Sequence, residues 1–113
     1  MRKYILILGL LILVSPAFSQ VGISSWYGPG YHGRTMANGE PFNQYAMTIA
    51  CNHLKLGTLV RITNLSNGKW VNAMVTDRGP HIKGRLFDAS FAVAVTLGFV
   101  KDGLTRVRVE CEH

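Results

Sequence analysis

The chain has 113 residues with a formal net charge of +6, twelve Lys and Arg set against six Asp and Glu, and hydrophobic residues make up 48% of it. That length allows one compact domain and excludes a multidomain architecture. Two cysteines and four scattered histidines, with no CxxC or HExxH, offer no metal-site spacing.

Residues 1–19 read as a cleavable leader. Arg2 and Lys3 form a basic start, Tyr4 to Val14 an apolar run, and Pro16 a break before Ala17-Phe18-Ser19, which has small residues at the cleavage positions. The run is shorter than the roughly 20 apolar residues a spanning helix needs. An uncleaved anchor or a buried N-terminal helix is the alternative reading. With cleavage, residues 20–113 form the exported domain, and loss of Arg2 and Lys3 lowers the positive charge by two. A moderately basic exported domain suits an anionic wall polymer, or simply solubility; export argues against nucleic acid. The expected location is periplasmic or extracellular, in contact with the cell wall, as a monomer with no stable membrane anchor.

The rest is patterned mostly as strands. Val21 to Tyr27 is rich in β-branched and aromatic residues and runs into the loop GPGYHGR. Leu59 to Asn64 alternates, and Asn67-Gly68 follows as a hairpin signal. Lys69 to Thr76 sets Val71, Ala73 and Val75 against Trp70, Asn72 and Met74, and a short strand, RLFD, ends at Asp88. Ser90 to Phe99 is apolar at nearly every position. Ser90 suits an N-cap and Gly98 a C′ residue, so a short buried helix is expected, with a buried strand as the alternative. Arg106 to Cys111 closes the pattern with Val107, Val109 and Cys111 on one face. Short strands with Gly, Pro and Asn turns and one short helix indicate a mainly all-β, closed small barrel. An even cysteine count in an exported domain favours a disulfide between Cys51 and Cys111; two buried free thiols are the alternative.

Six acids are available for chemistry. Asp102 in a KDG turn, and Glu110 and Glu112 beside Cys111, read as solvated surface. Glu40 lies in a Gly-Glu-Pro loop, Asp77 at the end of a strand before Arg-Gly-Pro, and Asp88 ahead of the helix cap. Acids at element ends beside Gly-containing loops are where a rigid barrel displays catalytic groups. The plainer readings are that Asp77 bonds to its own turn or pairs with Arg78, and that Asp88 serves the helix start.

The segments SSWYGPGYHGRTMANGEPFN, LGTLVRITNLSNGKWV, VTDRGPHIKGRLFDAS and LGF resemble, in order and spacing, the rare lipoprotein A-like (RlpA-like) double-psi β-barrel family over about residues 21–110. The resemblance implies a six-stranded barrel with a polysaccharide groove. It also implies endolytic lytic transglycosylase activity on peptidoglycan, leaving 1,6-anhydro-muramic ends, without a cofactor or metal. The family's acidic pair falls on Glu40 and Asp77, and Asp88 matches an aspartate of the related expansins. Trp26, Tyr27, His32 and Arg34 stand at groove positions, with Arg78 beside Asp77. On this reading Asp77 is the acid and base, Glu40 stabilises charge and Asp88 orients; Trp26 remains open between core and groove. The sequence departs from the family where a histidine precedes Leu-Gly-Thr: Cys51 occupies that position, and His53 is two residues on. The other function class is an expansin-like module that binds and loosens wall polysaccharide without cleaving it.

Overall fold

A computed structural model describes residues 17–112. Six strands close into one ring: β1 (Phe18–Trp26), β2 (Thr48–Cys51), β3 (Leu59–Asn64), β4 (Trp70–Asp77), β5 (Phe87–Ala89) and β6 (Leu104–Cys111), in the spatial order β1-β5-β2-β4-β3-β6. Two neighbouring pairs, β1/β5 and β2/β4, are parallel, and the remaining four are antiparallel. This is the expected six-stranded double-psi barrel. Closure leaves no free sheet edge.

Alternation builds the interior. Val60 and Ile62 from β3, Ala73 and Val75 from β4, Phe87 and Ala89 from β5, and Val107 and Val109 from β6 all enter one core. The helix α1 (Phe91–Leu97) covers one end and adds Val93, Ala94 and Leu97. Each large side chain buried this way contributes roughly 1.5–3 kcal/mol. The helix begins and ends as its sequence predicts. The Ser90 hydroxyl accepts the Val93 amide, and Gly98 adopts φ +77° and donates to the carbonyls of Ala94 and Val95. Asn64, fully buried, ties the helix end to the barrel: its Nδ2 donates to Leu97 O at 2.8 Å, while its Oδ1 accepts from Ser66 N and Thr105 Oγ1.

The expected leader lies largely outside the described residues. Its last two positions, Phe18 and Ser19, open β1 and pair with Cys111 and Glu110. The expected disulfide is not formed, which is a correction. Cys51 and Cys111 are free thiols buried in the core at 0% and 8% exposure. They end the third and sixth strands of a six-membered ring, so they approach the core from opposite walls and act there as small apolar side chains. Cys51 Sγ also accepts the His53 amide at 3.4 Å. Strand β2 was absent from the sequence reading; four residues without clear alternation do not distinguish themselves from loop.

Candidate functional site

One outward row of the barrel carries the acids. Ser25 on β1 is in register with Asp88 on β5, Asp88 with Ala50 on β2, and Ala50 with Asp77 on β4. The two aspartates therefore flank one alanine, two strand spacings or roughly 10 Å apart at their backbones. Asp88 faces outward by simple alternation, since Phe87 and Ala89 on either side of it are core residues. Asp77 needs more. With Val75 inward, period two would turn Asp77 inward as well. The β2/β4 register slips between Ile49 and Ala50, so Thr76 is passed over and Asp77 pairs with Ala50 instead. A bulge that re-aims a side chain beside a cleft is a recurrent device.

Above this row lies an open groove of about 380 Å³. Asp77 and Asp88 line it together with Tyr27, Arg34 and Arg78. Four residues that sequence reasoning missed, Tyr31, Met36, Phe42 and His81, line it as well. The signal for His81 was present, since it directly follows Asp77-Arg-Gly-Pro. Phe42 has no such signal; it is brought in by the loop between β1 and β2. That loop folds back on itself, with Phe42 joined to Gly33 and Arg34 through Gly33 N to Phe42 O and Phe42 N to Arg34 O, both at 2.7 Å.

The two carboxylates sit in contrasting surroundings. Asp77 Oδ2 accepts the Tyr27 hydroxyl at 2.8 Å, and its Oδ1 accepts the backbone amides of Ala37 at 2.9 Å and Arg78 at 2.8 Å. Three donors converge on this carboxylate and fix its orientation. Asp88 has one such partner, Ser25 Oγ at 3.1 Å. Burial pushes its carboxyl up to about 6; the neighbouring Asp77 adds to the rise, while the Ser25 bond and Arg85 oppose it. The Tyr27 phenol is driven above its ordinary range, first by burial and then by its bond to Asp77. It remains a proton donor, stacked on Phe42 at 4.4 Å.

Several other predicted site residues have different surroundings. Arg78 is tethered, since its Nη1 donates to Cys51 O at 2.7 Å and Leu54 O at 2.6 Å. Its guanidinium holds the 51–54 turn against the groove rim. Glu40 is exposed in the loop beyond Met36 and is not among the groove-lining residues; its amide is held by Asn38 Oδ1. Trp26 is half-buried against the core with its indole donating to Val100 O. His32 accepts the Gln44 amide at Nδ1 and lies beside exposed Tyr45, outside the groove lining. His53 is exposed and is likewise not a lining residue.

Comparison with known proteins agrees with this architecture. Residues 19–109 match a double-psi β-barrel family model described as lytic transglycolase. The chain is 49% identical over 94 residues to an endolytic peptidoglycan transglycosylase RlpA of Pseudomonas aeruginosa, covering 83% of this chain and 28% of that protein. It is 43% identical over 100 residues to the protein of the same name from Rickettsia bellii, covering 86% of this chain and 44% of that one. The chain thus spans less than half the length of these relatives. In fold it is similar to an expansin of Clavibacter michiganensis, with a TM-score of 0.62 and 20% identity over 81% of this chain and 49% of the other. It is also similar to a Streptomyces papain inhibitor, with a TM-score of 0.63 and 17% identity over 87% and 98%. A matching family model over most of the described barrel, together with identity near one half to named relatives, shows that the chain belongs to the RlpA-like lytic transglycolase family of double-psi β-barrels.

Proposed function

We propose that the barrel cleaves the glycan strands of peptidoglycan as an endolytic lytic transglycosylase, leaving 1,6-anhydro-muramic ends. The carrying observation is the contrast between two aspartates of one groove, Asp77 hydrogen-bonded by three donors and Asp88 raised to about 6. Cleavage of a glycosidic bond needs a proton for the leaving oxygen and a negative group near the cationic sugar ring. Paired acids whose environments separate their proton affinities divide those roles.

This reading reverses the assignment made from sequence. Asp88 holds its proton to a higher pH than an ordinary carboxyl, up to about 6, so it donates to the glycosidic oxygen. As a base it then takes the proton of the sugar's own 6-hydroxyl as that oxygen closes onto the anomeric carbon. Asp77 carries the charge that favours the oxocarbenium-like state, with Tyr27 and the two amides fixing its orientation. Glu40, on the exposed loop, would act only if that loop folded over bound glycan. A peptidoglycan substrate places the protein in the periplasm or outside the cell, and residues 1–19 would supply the export signal. Sequencing the N-terminus of the exported protein tests this last point, because a cut after Ser19 would remove two paired residues of β1.

The deciding experiment is digestion of peptide-free glycan strands followed by mass spectrometry. Anhydro-ended fragments that disappear in Asp88→Asn and Asp77→Asn support the proposal, whereas strands bound but left intact would reject it. That second outcome would favour an expansin-like module, for which one observation speaks. The position where the family has an assisting histidine holds Cys51, fully buried and unable to supply an imidazole.

A further inference from the structure

The groove holds cations as well as acids, and they are not equivalent. Arg78 is committed to two backbone carbonyls. Arg34 is not. Its guanidinium lies 5.6 Å from the centre of the Tyr31 ring, and among the described residues it has no carboxylate partner. The cation that lowers the Asp88 carboxyl is Arg85. The backbone around Arg34 is fixed, since Arg34 N donates to Tyr31 O at 3.1 Å and Arg34 O accepts the Phe42 amide. An aromatic shelf and a fixed backbone present the planar, always-charged fork to whatever enters the groove.

We infer that Arg34 is an anion-selecting subsite that pairs with a carboxylate borne by the glycan itself, so the groove favours sugar chains with a carboxylate substituent over neutral ones. The inference rests on the peptidoglycan reading above. In that polymer the matching group is the lactyl ether carboxylate of every second sugar, which is exposed as a free acid once the peptide is removed. A guanidinium can accept such a group through two parallel hydrogen bonds, whereas a neutral sugar offers it only hydroxyls. Tyr31, exposed beside it, supplies apolar surface that any pyranose can use, so selectivity for charge falls to Arg34.

The test measures binding in an Asp88→Asn background, so that strands stay intact. Calorimetric titration compares peptide-free strands with the same strands after conversion of their lactyl carboxylates to primary amides. The parent is expected to bind the carboxylate form about tenfold more tightly at low salt, and added Arg34→Gln should bring the ratio near one. Lys101→Gln, which removes a charge from an exposed turn outside the groove lining, should leave the ratio as in the parent. An unchanged ratio in Arg34→Gln, or equal binding of both strand forms by the parent, overturns the inference while leaving the glycan reading in place. Failure of the parent to bind either form overturns both.

Discussion

Tyr27 donates its phenolic proton to Asp77 Oδ2 over 2.8 Å, joining the residue after β1 to the last residue of β4. The same ring stacks on Phe42, so the acid, the phenol and the loop wall form one unit. Replacing Tyr27 with Phe keeps the stacking and removes the donor. Turnover of glycan strands should fall about tenfold, with stability reduced by roughly 1 kcal/mol. Steady-state rates and thermal unfolding of Y27F measure both, and unchanged rates would show that the bond has no part in the reaction.

Asp88 ties activity and stability to pH in the same interval. Its folded carboxyl is raised from 3.8 to about 6, so the folded state binds more protons than the unfolded one between those values. The sign follows: Asp88 lowers stability as pH rises from about 4 to 6, and the penalty is then complete at neutral pH. Asp88→Asn should therefore abolish cleavage yet stabilise the fold at pH 7.5 by about 1 kcal/mol, allowing for partial solvent exposure. Near pH 3.5 the stabilisation should vanish. If Asp88 is the proton donor, wild-type kcat/KM should decline above pH about 6, and a flat profile to pH 8 would reassign that role.

Arg78 is predicted to matter for architecture more than for sugar binding. Arg78→Met leaves the carbonyls of Cys51 and Leu54 without their shared donor and should cost about 1 kcal/mol, seen as a Tm lower by several degrees. Hydrogen exchange should accelerate in the 51–54 turn. Unaltered exchange there would count against the tether.

The cysteines give a direct chemical readout. A thiol reagent should label neither Cys51 nor Cys111 in the folded protein and both after denaturation without reductant. Finding no reactive thiol in the denatured, unreduced chain would restore the disulfide.

Alternation made much of the barrel legible before any coordinates. It assigned Val107, Val109 and Cys111 to one inward face, and Ser90 and Gly98 marked the helix with little error. Asp88 was read as the end of the strand RLFD, whereas it is the centre of β5, between the core residues Phe87 and Ala89. Asp77 was recognised only by its neighbours in sequence, because the bulge at Thr76 reads as one more strand residue and its effect depends on β2. Strand β2 itself is too short to signal its presence, yet Ala50 supplies the register that sets the acids on one row. The contrast between Asp77 and Asp88 was not readable at all. It arises from the Tyr27 hydroxyl and the Ala37 amide, which are 50 and 40 residues from Asp77 along the chain.

The loop from Tyr31 to Phe42 rests on the barrel through two backbone amides, Asn38 N to Thr76 O and Ala37 N to an oxygen of Asp77. On the proposed mechanism one acid is thus both reagent and latch. Whatever withdraws negative charge from it during a reaction slackens the arm that carries Arg34, and an arm pressed home keeps that charge oriented. That mechanism therefore couples grip on the polymer to progress along the reaction coordinate through a single side chain.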